Sequence, residues 1–105
     1  MRIETRLKDV VDDLFGAYMW VRHSILDDPS VDPESKIRLQ LELEEAKKTW
    51  PRCALRMKEW RGKKYYSILV RRTDYGEADV WLPMGDEKAE AFIEELRGEG
   101  IVSED

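Results

Sequence analysis

Cysteine and histidine are nearly missing from this chain of 105 residues, which contains one of each, Cys53 and His23. A single cysteine excludes an internal disulfide and favours a reducing compartment, so we expect a cytoplasmic protein. Two such residues cannot complete a tetrahedral zinc site, and we expect no metal and no cofactor. Nucleophilic catalysis would need these two residues to meet, whereas a lone cysteine is usually a packing residue. The composition therefore favours a binding protein over an enzyme.

Long apolar runs are also missing, and the longest uncharged stretch of the first predicted helix covers only residues 14–21. A membrane-spanning helix needs about 20 apolar residues, so we expect no membrane insertion. Residues 1–6 include two arginines and a glutamate, and they lack the apolar region of a signal peptide. The six glycines are scattered and form no phosphate-binding loop.

Charge is abundant and unevenly distributed in a chain of net charge −5. Residues 47–72 contain ten basic side chains and one acidic one, whereas residues 73–105 contain two basic and eleven acidic ones. An acidic chain with one basic block is not a general polyanion binder, but it can present one positive face. The hydrophobic content of 42%, with four tryptophans and four tyrosines, is typical of a folded chain, and the length predicts one domain over residues 1–105.

The N-terminal part, residues 1–50, predicts a pair of helices. Apolar residues recur at steps of three and four over residues 3–26, which favours one amphipathic helix. Asp32 and Pro33 form a strong start for a second helix, which we extend to about Thr49. Within it, residues 37–44 alternate apolar and polar side chains as a strand does, although their composition favours a helix.

On a helix, Leu39 and Leu43 share one face, while Ile37 and Leu41 lie nearly opposite. Such a two-sided helix packs against two elements, or against one element and a second subunit. We therefore expect a homodimer formed through the N-terminal helices.

The rest of the chain, residues 52–98, predicts a small sheet followed by a helix. Residues 64–72 and 77–82 are rich in β-branched and aromatic side chains and favour two strands joined by a hairpin. Residues 52–60 fit either a strand or a helical extension. Asp86 opens a final helix. The fold class is thus α+β, with an N-terminal helical pair, a two- or three-stranded antiparallel sheet and a C-terminal helix.

Basic residues interleaved with aromatic ones form the only arrangement that predicts a site. Single-stranded nucleic acid needs cations for its phosphates and flat rings on which unpaired bases can stack. Strand alternation would place most of these groups on one sheet face, away from the C-terminal helix. The candidate nucleic-acid-binding residues are Arg56, Lys58, Trp60, Arg61, Lys63, Tyr65, Arg71 and Trp81. If the N-terminal helices cover the same face, Trp60, Tyr65 and Trp81 are core residues, and the charged ends of the Lys and Arg side chains extend past them to solvent.

Residues 57–68, Met-Lys-Glu-Trp-Arg-Gly-Lys-Lys-Tyr-Tyr-Ser-Ile, resemble the strand–turn–strand start of the PUR repeat. Residues 80–83 and 91–96 continue the resemblance, which spans about residues 52–98. It implies binding of single-stranded DNA or RNA on a curved sheet and pairing of repeats through their helices. It also implies nucleic-acid contacts by Lys58, Trp60, Arg61, Lys63 and Tyr65.

Two functions follow as expectations. The first is a small regulator that binds single-stranded nucleic acid through a basic, aromatic sheet face. The second is a protein-interaction or inhibitory module whose acidic helices contact a basic partner.

Overall fold

The computed structural model describes residues 1–104, except for the side chains of residues 72 and 73. Its contacts divide the chain into two units, Met1–Pro51 and a second unit that begins at Arg52. Together they contain helices and one four-stranded sheet, which confirms the α+β class. Among the described residues, no helix is long and apolar enough to cross a membrane.

The N-terminal unit contains three helices, α1 (Leu7–Val10), α2 (Leu14–Trp20, continued by a π-helical turn over Val21–Ile25) and α3 (Pro33–Thr49). The single helix predicted over residues 3–26 is therefore wrong. Val11 is extended, and the Asp13 carboxylate accepts a hydrogen bond from the Gly16 amide at 2.5 Å, which starts a new helix. A Cβ at Gly16 would lie 3.0 Å from that carboxylate oxygen, so glycine suits this cap.

Helix α3 confirms the helical interpretation of residues 37–44. Leu39 and Leu43 are fully buried, whereas Ile37 and Leu41 are exposed, so only one side of α3 packs within this unit. The segment before α1 is tied to α3, because the Arg38 guanidinium donates hydrogen bonds to the carbonyls of residues 3 and 5.

The C-terminal unit contains β1 (Cys53–Trp60), β2 (Lys63–Thr73), β3 (Gly76–Pro83), α4 (Glu87–Gly98) and β4 (Val102–Glu104). The strand order is β3-β2-β1-β4, with β1, β2 and β3 antiparallel and β4 parallel to β1. The predicted sheet of two or three antiparallel strands is wrong in its strand number, because the chain turns at Gly100 and adds β4. Of residues 52–60, which fit either a strand or a helix from the sequence, Cys53–Trp60 form β1.

Helix α4 starts where the sequence predicts, with the Asp86 carboxylate accepting a hydrogen bond from the Ala89 amide at 2.9 Å. It buries Ala89, Ile93 and Leu96. The Tyr66 hydroxyl of β2 donates a hydrogen bond to Glu90 of α4 at 2.6 Å. This bond raises the pKa of Tyr66 and identifies the sheet face that α4 covers.

Candidate nucleic-acid interface

The sheet face turned away from α4, here called the distal face, carries most of the candidate residues. Tyr66 points to α4, so its neighbours Tyr65 and Ser67 point the other way. Strand pairing places Lys58 opposite Tyr65, and Arg56 and Trp81 on either side of Ser67. By this alternation the distal face comprises Ala54, Arg56, Lys58, Trp60, Lys63, Tyr65, Ser67, Leu69, Glu77, Asp79 and Trp81.

Asp79 is the main acceptor at the centre of the distal face. Its Oδ2 accepts hydrogen bonds from Lys58 Nζ at 2.8 Å, Ser67 Oγ at 2.7 Å and Trp81 Nε1 at 2.8 Å. These donors, Lys58 first among them, hold the pKa of Asp79 well below its usual range. Ser67 has no solvent exposure, so Asp79 satisfies a fully buried hydroxyl as well as a cation.

Arg56 is also engaged by an acid of β3. Its Nη1 donates a hydrogen bond to Glu77 at 2.9 Å, and its Nη2 lies 3.6 Å from Asp79. The Nε and Nη2 atoms are shielded from solvent and have no hydrogen-bond acceptor among the described residues. Two of the predicted phosphate contacts, Arg56 and Lys58, therefore already face carboxylates of their own chain.

Two rings of the distal face form a pair. The Tyr65 and Trp81 ring centroids lie 5.4 Å apart, with their planes tilted by 44°. The Lys58 ammonium lies 5.2 Å from the Trp81 centroid while it contacts Asp79. The carboxylate, the ammonium and the indole thus form one connected cluster, in which Trp81 is held in place on an exposed part of the sheet.

The β1–β2 hairpin ends in a tip, defined as residues 60–64, Trp-Arg-Gly-Lys-Lys. Arg61 and Gly62 have φ angles of 51° and 76°, as the twist-matching two-residue hairpin turn requires. The Arg61 guanidinium stacks over the Trp60 ring at 4.3 Å, and 54% of the Trp60 surface is exposed. Within the described part of the chain, no ion pair involves Arg61, Lys63 or Lys64, all of which are exposed.

The placement of Arg71 on the distal face is wrong. A β-bulge inserts one residue into β2 between Leu69 and Arg71, so that Leu69 pairs with Asp79 but Arg71 pairs with Ala78. Ala78 alternates with Asp79 and belongs to the side of α4, and the bulge shifts Arg71 to that side. The structure thus brings seven of the eight candidates to the distal face or the tip.

Three residues of the site, Ser67, Glu77 and Asp79, were missed by sequence reasoning. Alternation along β3 places both acids on the same face as Trp81, and that pattern was visible. The sequence does not reveal the register between β2 and β3. This register brings Glu77 and Asp79 close enough to contact the cations of β1 across the sheet.

The N-terminal unit has a groove of about 440 Å³ beside Leu7, Ala46 and Trp50 and a second of about 330 Å³ beside Ile3 and Ser35. Arg38 lines both and is bonded to Glu42 and to two backbone carbonyls, while Arg6 and Lys8 also line the first. Over residues 1–104, no group of three or more histidine, cysteine or acidic side chains is arranged to hold a metal ion.

Comparison with known proteins returns no matching family model, curated protein or solved structure. The resemblance to the PUR repeat accordingly stays a prediction.

Proposed function

We propose that this protein binds single-stranded nucleic acid through the tip of the β1–β2 hairpin and the adjoining rings of the distal face. The observation that carries the proposal is the tip itself, where Trp60 is exposed and Arg61 stacks on it. Lys63 and Lys64 are exposed and form no ion pair among the described residues, although Lys64 pairs across the hairpin with Glu59. An exposed ring surrounded by available cations provides stacking and phosphate contacts together.

The two parts of the surface have different roles in this proposal. Unpaired bases stack on Trp60 and on the Tyr65–Trp81 ring pair, while Arg61, Lys63 and Lys64 contact phosphates. Arg56 and Lys58, held by Glu77 and Asp79, orient the rings and supply little free charge. Because residues 73–105 are strongly acidic, binding is weak and is lost at moderate salt.

Fluorescence anisotropy with labelled single-stranded DNA, single-stranded RNA and duplex DNA of the same length tests this proposal at low salt. We expect both single strands to bind better than the duplex, because only unpaired bases expose their faces. Replacing both tip lysines, Lys63→Ala with Lys64→Ala, weakens binding, whereas Lys88→Ala on α4 leaves it unchanged. Absence of binding at tens of micromolar protein, or equal weakening by Lys88→Ala, would rule out the proposal.

A second candidate is a protein-interaction or inhibitory module that contacts a basic partner through an acidic helix. Helix α4 favours it, because Glu87 and Glu94 are exposed, Glu94 beside Arg97, within residues 73–105, which contain eleven acidic and two basic side chains. A lysine-rich peptide is the probe. Salt-sensitive binding of this peptide, reduced by Glu87→Lys with Glu94→Lys and accompanied by no binding of single strands, would favour this candidate. The scarcity of cysteine supports a cytoplasmic setting for either function.

A further inference from the structure

Helix α3 has an outer ridge that nothing in the N-terminal unit covers. Ile37 is 58% exposed and Leu41 is 66% exposed, one helical turn apart. The exposed positions 34, 37, 41, 44 and 48 follow alternating steps of three and four residues. This spacing is typical of the seam along which two helices pack together.

The two end charges of the ridge are placed symmetrically around Leu41, whereas Glu44 between them is paired with Arg22 and Lys47 of its own chain. Glu34 lies seven residues before it and Lys48 seven residues after it, which is two helical turns in each direction. Both side chains are exposed, and among the described residues neither takes part in an ion pair. Two helices that cross antiparallel at Leu41 would therefore bring Glu34 of each next to Lys48 of the other.

We propose that α3 docks antiparallel against α3 of a second copy of this chain, with the two-fold axis beside Leu41. In this register Leu41 meets Leu41 of the second copy, and two Glu34–Lys48 pairs close the ends. A parallel arrangement would place Glu34 against Glu34 and Lys48 against Lys48, which repel. Antiparallel packing also brings the positive end of each helix dipole to the negative end of the other.

The ridge offers two large apolar side chains per copy, which is little for a dimer. Stable interfaces bury at least about 1,000 Å² in total, so association through α3 is weak and depends on protein concentration. The inference does not depend on nucleic-acid binding, because the ridge lies in the other unit of the chain.

Sedimentation equilibrium of the full chain, at protomer concentrations up to about 1 mM, is the first test. We expect a reversible monomer–dimer equilibrium that Leu41→Lys abolishes. The matched control is Met57→Lys in the C-terminal unit, because Met57 is 74% exposed, and this variant keeps the wild-type association. Both substituted positions are exposed, and circular dichroism confirms that each variant is folded. A monomer at all concentrations, or equal loss with Met57→Lys, would overturn the proposal.

Charge exchange tests the register. Glu34→Lys alone weakens the dimer at least severalfold, because each of its two end pairs becomes repulsive, and Glu34→Lys combined with Lys48→Glu restores it. Oxidation of Leu41→Cys gives a disulfide-linked dimer faster than oxidation of Glu34→Cys, whose position faces Lys48 rather than itself. A double variant as weak as the single one, or equal cross-linking at both positions, would contradict this register.

Discussion

The centre of the distal face and the hairpin tip contain the same kinds of side chain, but their charges are balanced differently. In the centre, Lys58 and Arg56 contact Asp79 and Glu77 at hydrogen-bond distance. At the tip, Arg61 is stacked on a ring and has no carboxylate partner among the described residues. A count of basic residues along the chain would treat both places alike.

The difference shows that strand register decides which cations remain available to a ligand. Strand β3 is separated from β1 by β2, and its Glu77 and Asp79 side chains reach Arg56 and Lys58 of β1 across that strand. Residues 60–64 have no acidic counterpart on β3. The cations of the centre are therefore bonded within the sheet, whereas those of the tip are exposed and form no ion pair among the described residues.

The largest effect is expected from Asp79→Ala in the centre. This change removes the acceptor of Lys58, Ser67 and Trp81, and it leaves a buried hydroxyl without a partner. Loss of such an acceptor should lower the free energy of unfolding by about 3 kcal/mol. Urea denaturation measures it, with Lys64→Ala at the tip as control, expected within about 0.5 kcal/mol of the wild type. Similar losses in the two variants would show that these bonds do not stabilise the centre.

The next largest effect, a loss of affinity for single strands, is expected from Trp60→Ala at the tip. Loss of one stacked base costs about 1–3 kcal/mol, so affinity for a single strand should fall at least about fivefold with little change in stability. The control is Tyr75→Ala, an exposed ring in the other hairpin of the sheet, which should leave affinity unchanged. Anisotropy titrations compare the two variants. Equal losses would mean that exposed rings anywhere on the unit contribute alike.

A smaller effect is expected when the centre is made to resemble the tip. Asp79→Asn keeps an oxygen acceptor for Ser67 but removes the charge that holds Lys58. Lys58 should then contact phosphate, which raises affinity a few-fold and steepens its salt dependence by roughly 0.7 in logarithmic slope. Titrations at several salt concentrations provide the slope, and circular dichroism verifies folding. An unchanged salt dependence of the affinity would show that the ion pair with Asp79 does not prevent Lys58 from contacting the ligand.

The smallest effect concerns acid stability. Bonds from Lys58 and Ser67 lower the pKa of Asp79, so its stabilising contribution is complete above the pKa of an unfolded aspartate, about 4. As the pH falls below that value, the unfolded chain binds a proton more readily than the folded chain, and stability declines. Between pH 5 and pH 3 the wild type should lose more free energy of unfolding than Asp79→Asn. Equal losses in paired urea titrations would assign the acid sensitivity to other groups.

Local patterns were enough to predict α3, β2, β3 and α4. The start of α3 at Pro33, the cap of α4 at Asp86 and the alternation of β2 are all properties of neighbouring residues. They are decided by capping, backbone preference and side-chain periodicity, which act over a few residues. The candidate residues on the distal face follow from the same alternation.

The features that sequence reasoning missed depend on contacts between distant residues. Strand β4 has three residues and is identifiable only through its pairing with β1. The bulge that moves Arg71 depends on how β2 and β3 meet, and so does the contact of Asp79 with Lys58. The break at residues 11–13 is different, because it depends on a local cap, the hydrogen bond from the Gly16 amide to Asp13, while the apolar steps of three and four continue across it and predict one helix.

The parallel pairing of β4 with β1 has a consequence for the order in which the C-terminal unit folds. Cys53 pairs with Val102, 49 residues later, whereas β1, β2 and β3 are joined by tight turns. Closing the longer loop costs more chain entropy, so the three-stranded meander can form before β4 arrives. Until then one side of β1 has unpaired backbone groups around the Cys53 amide, which later donates to the Ile101 carbonyl at 2.9 Å. In that order of assembly, the pairing of β4 closes an exposed strand edge, and its rate determines how long the nascent sheet is open to pairing with another chain.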